Sequence, residues 1–97
     1  MIIKGSTDPE KPFRKVYGLK GEKIVVKHFV IRTIDPSNPF KQHKHEQEEL
    51  WYILEGEAIL TLEGKEYKVE PDDLVQLKPW VTHGLRTDSH ARWICLG

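Results

Sequence analysis

Apolar residues in this chain fall in short runs separated by turn residues, which is the punctuation of strands and not of helices. No stretch keeps apolar spacings of three and four over three turns. Runs rich in valine, isoleucine, leucine and aromatic residues predict strands over 24–34, 50–54, 58–62, 67–69, 74–77, 84–86 and 91–96. Turn chemistry separates them. Asp35-Pro36-Ser37-Asn38-Pro39 ends the first run, Glu55-Gly56-Glu57 and Glu63-Gly64-Lys65 read as hairpin turns, and Pro71-Asp72-Asp73 is a further turn. Many short strands with frequent turns predict an all-β domain, an antiparallel sandwich or barrel. Residues 4–22 carry glycine, proline and charge, and are expected to form a loop or an edge segment without chemistry of their own.

The run from Leu50 to Leu54 is apolar on both faces. With Trp51 and Ile53 turned to the core, Leu50, Tyr52 and Leu54 face the other way. A strand apolar on both sides is covered on both sides. In a domain this small the second cover is expected to be another subunit, which predicts a homodimer.

Length and charge narrow the picture. The 97 residues make one domain, 1–97, with the barrel expected at about 24–96 and an N-terminal edge segment at 1–22. The core is thin, and such domains often gain stability from a metal or a partner. Fifteen basic residues balance 15 acidic ones, and this zero net charge argues against a dedicated nucleic-acid binder. Cys95 is the single cysteine, so no intrachain disulfide can form, and a reducing cytoplasm is expected. Its apolar setting, Trp93-Ile94-Cys95-Leu96, reads as that of a buried structural thiol. The start, Met1-Ile2-Ile3-Lys4-Gly5, lacks signal-peptide features, and no apolar run reaches the ~18 residues a membrane helix needs. No membrane partner is expected.

The candidate chemistry lies in His43-Lys44-His45-Glu46-Gln47-Glu48-Glu49 and in Pro79-Trp80-Val81-Thr82-His83-Gly84. Residues two apart on an extended strand share a face, so His43 and His45 can aim both imidazoles at one point. A short turn lets Glu49 return to that point, and His83 can join from another strand. Three imidazoles and one carboxylate form a donor set for a divalent transition metal: manganese, iron, nickel, copper, cobalt or zinc. The remaining histidines, His28 and His90, read as surface or satisfied core residues, and Glu46 and Glu48 as solvated turn residues.

These residues resemble the cupin superfamily of small jelly-roll barrels. The first motif of that family runs from a glycine through H-x-H and a glutamate to a closing glycine. Here Ser37 stands at the first glycine, and His43, His45, Glu49 and Gly56 match the rest. In the second motif Asp72-Asp73 stands for glycine-aspartate, Lys78-Pro79-Trp80 for proline-x-glycine, His83 matches, and Thr87 takes the common asparagine position. The resemblance implies a single-domain jelly-roll β-barrel with His43, His45, Glu49 and His83 as metal ligands and about two open positions on the ion. It also implies dioxygenation, decarboxylation or isomerisation of a small molecule, the alternative being a non-catalytic small-ligand or sensor barrel. Trp51, Ile53 and Leu85 share strand faces with the ligands and predict a largely apolar pocket. Arg86 should face away. Trp80 can cap the barrel mouth, lie exposed or pack in a dimer.

Overall fold

The fold is built from short strands, the last of which alternates most regularly. In the computed structural model, which describes residues 2–7, 9–10, 15–17, 26 and 28–97, the described elements are strands joined by turns. They are β1 (Ile2–Ile3), β2 (Ser6–Thr7), β3 (Lys15–Val16), β4 (Phe29–Ile34), β5 (Phe40–His43), β6 (Glu49–Gly56), β7 (Ala58–Leu62), β8 (Lys65–Val69), β9 (Leu74–Leu77), β10 (His83–Arg86) and β11 (Ala91–Leu96). The last strand shows the principle. Ala91, Trp93 and Cys95 are buried, whereas Arg92, Ile94 and Leu96 are half-buried on the opposite face. Among the described residues no helix is long and apolar enough to cross a membrane.

Two antiparallel sheets form the jelly roll. One has the order β1-β9-β6-β11-β4 and the other β5-β10-β7-β8, while β2 and β3 pair separately. Their inner faces meet in one core that includes Ile34, Trp51, Ile53, Leu60, Val75, Leu77, Leu85, Trp93 and Cys95. Trp51 and Trp93 are fully buried, with ring centroids 5.2 Å apart. Phe40 from the other sheet sets its edge against both, at 5.4 and 5.7 Å. Each such ring removes roughly 150–250 Å² from water, so this trio anchors the two sheets to each other.

The turns refine the sequence reading. Glu63-Gly64 does close a hairpin between β7 and β8, and its φ values of 51° and 77° are those of a turn that follows the natural strand twist. Glu55-Gly56-Glu57 does not close a hairpin. It carries the chain from β6 in the larger sheet to β7 in the smaller. Gly56 is required there, because its φ is 79° and a Cβ would lie 1.9 Å from the His90 carbonyl oxygen. The first long strand begins at Phe29 among the described residues; the predicted start at Ile24 and Val25 lies outside them. Residues 2 and 3 supply an edge strand, with Ile2 opposite Val75 and Ile3 opposite Leu74. It is pinned by Lys4, whose ammonium meets the buried Asp73 carboxylate at 2.5 Å.

The outer face of the larger sheet is more mixed than the sequence implied. Leu50 is buried, Leu54 is half-buried, and Tyr52 is met by the chain's own Tyr17, with ring centroids 6.0 Å apart. The cover over Tyr52 therefore comes from within. The open apolar surface lies farther along the sheet, at Phe29 and Ile31, beside Ile94 and Leu96.

Candidate metal centre

His83 opens β10 and is buried, directly opposite His43 at the end of β5. The ring centroids of this pair are 4.5 Å apart, and His45 stands 5.4 Å from His43 and 4.9 Å from His83. One ligand nitrogen from each of the three lies within 4.8 Å of the others. The three histidines chosen from sequence thus converge, but not as two neighbours on one strand face. His45 lies past the end of β5, in the turn before β6. There Trp80 holds the His45 carbonyl through its own N–H at 2.8 Å.

Phe40 also reaches the site, its ring centroid 4.8 Å from that of His43. Strict alternation would put positions 40 and 43 on opposite faces. The pairing of β5 with β10 shifts register between His83–His43 and Leu85–Phe40, and this bulge lets the half-buried Phe40 ring meet the exposed His43 ring. Gly84 makes room for the bulge, since a Cβ there would meet the Gln42 side chain at 2.8 Å.

The backbone sets the state of each imidazole. Nδ1 of His43 lies 2.9 Å from the Lys41 carbonyl, Nδ1 of His45 lies 2.8 Å from that of Gln47, and Nδ1 of His83 lies 2.8 Å from that of Val81. A carbonyl only accepts, so each Nδ1 carries a proton, and the neutral tautomer this selects has its lone pair on Nε2. Nε2 of His45 and of His83 are buried without a hydrogen-bond partner. An unpaired buried polar atom costs about 1–3 kcal/mol. Burial pushes the pKa of His83 below its ordinary value; the Val81 carbonyl opposes this and the neighbouring His43 and His45 reinforce it. The ring is thereby held neutral, the form that binds metals.

Glu49 is buried at the start of β6, on the border of this cluster. Its Oε1 accepts from the Trp51 indole at 3.1 Å and lies 3.4 Å from His45 Nε2. Its Oε2 lies 3.2 Å from Nε2 of His28. His28 is therefore not a bland surface residue. Its Nε2 is also 3.5 Å from the Cys95 sulfur, and its backbone is paired in both directions with Gly97. Cys95 is buried as expected, but beside charged groups, and burial together with Glu49 pushes its thiol up to about 11. His90 does lie on the surface, near Glu55. Glu46 is exposed, whereas Glu48 is tied to Lys78 and Gln76 at 3.2 Å each. Arg86 faces outward and pairs with Glu66. Trp51, Ile53 and Leu85 are core residues, so the site is bordered by Trp51 and Phe40 and by the polar trio His28, Glu49 and Cys95. Arg32, on the same face of β4, stacks its guanidinium 5.0 Å above Phe40.

Trp80 is exposed and its φ is +64°. Asp72 has φ +74°. Both stand where the motif has glycine, and both keep a left-handed backbone that L side chains adopt at a cost. The turn geometry is retained although the glycines are not.

A cupin-domain family model matches residues 30–97. The chain belongs to the cupin family. A solved cupin fold, described as a predicted oxalate decarboxylase from Thermotoga maritima, superposes with a TM-score of 0.67 at 23% identity, over 73% of this chain and 64% of that one. The DMSP lyase DddQ of Ruegeria pomeroyi superposes with a TM-score of 0.64 at 27% identity, over 70% of this chain and 36% of the lyase. In sequence, 55 residues are 32% identical to a 5-nitrosalicylic acid 1,2-dioxygenase of Bradyrhizobium, covering 57% of this chain and 27% of that enzyme. A further 42-residue match, 38% identical, is to an uncharacterized protein of Methanocaldococcus jannaschii and covers 42% of this chain and 34% of that protein. This cupin spans about a third or less of the length of those two relatives.

Proposed function

We propose that this cupin holds one divalent transition metal on Nε2 of His43, His45 and His83 with Glu49, and acts as a metalloenzyme on a small organic acid. The observation that carries this reading is the set of bare Nε2 atoms, two of them buried and unpaired, each fixed by a carbonyl on the far side of its ring. Carbonyl-oriented imidazoles are the usual support of metal-binding histidines. The donor set fits manganese, iron, cobalt, nickel, copper or zinc. When bound, such an ion polarises a coordinated oxygen or activates water or dioxygen.

The chain's own residues supply the rest. The Arg32 guanidinium is a cation at the rim of the inter-sheet space, carried on Phe40, which in turn touches His43. It suits a carboxylate. Trp51 and Phe40 exclude water from the inner side of the site. The names of the dioxygenase and of the predicted oxalate decarboxylase support an acid as substrate, with dioxygenation or decarboxylation ahead of isomerisation. The second reading is a non-catalytic binding or sensor barrel for the same class of ligand, favoured by a donor group around His83 that holds only His43, His45 and His83 within 4.8 Å of one another among the described residues, with no carboxylate as a fourth member. Turnover assays of metal-loaded protein on small mono- and dicarboxylic acids, with and without oxygen, separate the two. Metal-dependent consumption supports the enzyme; saturable binding without turnover supports the sensor.

The open apolar surface of the larger sheet is the proposed dimer contact. Phe29 and Ile31 are 61% and 47% exposed, more than isolated strand residues on a finished surface need be. A second copy of this chain is the proposed occupant, and a cytoplasmic location remains part of the proposal on the strength of the single free thiol.

A further inference from the structure

Glu49 has two oxygens, and they face two different donor sets. Oε1 meets the histidine cluster through His45, at 3.4 Å. Oε2 meets His28 Nε2 at 3.2 Å, and His28 Nε2 meets the Cys95 sulfur at 3.5 Å. One donor atom from each of His28, Glu49 and Cys95 lies within 4.8 Å of the other two.

The two edges that meet at His28, 3.2 and 3.5 Å, are close to those of a coordination sphere. Donors at about 2.0–2.1 Å (nitrogen, oxygen) and about 2.3 Å (sulfur) from a tetrahedral ion lie about 3.4 Å apart for a nitrogen–oxygen edge and about 3.6 Å apart for a nitrogen–sulfur edge. The trio combines an imidazole, a carboxylate and a thiol. Glu49 and Cys95 are buried, and His28 is half-buried at the edge of the sheet, which leaves an approach from solvent.

We propose that His28, Cys95 and Oε2 of Glu49 form a second metal site, specific for a thiophilic divalent ion such as zinc or cobalt, with Glu49 bridging it to the histidine cluster. The bridging role rests on the assignment of Glu49 to the first site; the His28–Cys95 pair stands without it. Occupation displaces the Cys95 proton to solvent and leaves the thiolate on the ion. The two sites differ in chemistry. The first offers three imidazoles, and the second offers sulfur. The softer site therefore takes zinc, cobalt or a copper ion in preference to manganese.

The test is a cobalt(II) titration of the metal-free full chain without oxygen, followed by absorption and by proton release. The native protein is expected to take two equivalents, one of them with a sulfur-to-cobalt charge-transfer band and release of a proton. Cys95→Ser and, as an independent variant at the half-buried edge, His28→Gln should each take one equivalent and lose the band. His43→Ala should keep the band. A single equivalent without the band, unchanged in Cys95→Ser, overturns this proposal and leaves the histidine site standing. A single equivalent with the band, lost in Cys95→Ser and kept in His43→Ala, supports the second site and contradicts the first. Absence of binding contradicts both.

Discussion

The backbone N–H of Trp80 donates to the carbonyl of His45 at 2.8 Å. This bond ties the loop before His83 to the turn that carries His45, and Lys78 strengthens the link by pairing with Glu48 at 3.2 Å. Two distant stretches of sequence are thus locked so that their histidines meet.

The bond depends on a left-handed backbone at a residue with a large side chain. A Trp80→Gly variant removes that steric cost of about 1–2 kcal/mol and adds back about 0.5–1 kcal/mol of unfolded-chain entropy. The expected result is a stabilisation of about 0.5–1 kcal/mol in urea unfolding with metal binding unchanged. Trp80→Pro, which has no N–H and cannot take a positive φ, should destabilise the protein and weaken metal binding. Equal stability of the two variants would contradict this role.

Burial of His83 gives a pH dependence with a definite sign. Its folded pKa lies below the ordinary value, so on acidification the unfolded chain takes up this proton first. The stability it represents is present above the unfolded pKa of ~6.5 and is lost as pH falls from there towards the folded value. The urea midpoint of metal-free protein should decline through that window, and decline less in His83→Asn. Identical profiles for the two proteins would remove His83 as the cause.

In the proposed function the Arg32 guanidinium, stacked 5.0 Å from the Phe40 ring, holds the carboxylate of the ligand and is not itself a metal donor. Loss of one charge-assisted hydrogen bond, about 1.5 kcal/mol, predicts a roughly tenfold weaker Kd for an organic acid in Arg32→Gln. Metal content should stay the same. An Arg32→Gln protein that binds acids as well as the native one would exclude this contact.

The exposed Phe29 and Ile31 predict a dimer at micromolar concentration in light scattering, and a folded monomer for Phe29→Glu/Ile31→Lys. A monomeric native protein would contradict the proposed interface.

Much of this architecture was legible in the chain. Strands at 58–62, 74–77 and 91–96 have the bounds that the apolar runs and their flanking turns mark; burial alternates along 91–96, whereas Val75, Gln76 and Leu77 are all buried. His43, His45 and His83 could be chosen because H-x-H, Glu49, Gly56 and the later histidine stand together at the spacing of the cupin motifs. Other features lacked a local signal. Phe40 turns inward only through a bulge, and a bulge is set by pairing with β10. His28 reaches Glu49 because its backbone pairs with Gly97 at the opposite end of the chain. The Glu55-Gly56-Glu57 turn has hairpin chemistry, yet the close approach of His90 makes it a crossing between sheets. Tyr52 suggested a subunit contact, and the chain covers it with Tyr17.

Metal binding by the histidine cluster underlies the proposed function of this cupin. Elemental analysis of protein purified without an affinity tag, beside a His43→Ala/His45→Ala variant, tests it most directly. The native protein should carry at least one transition-metal ion per chain, and the variant one fewer. Native protein that remains metal-free after exposure to manganese, iron, cobalt, nickel, copper and zinc, or a variant with undiminished metal, would contradict it.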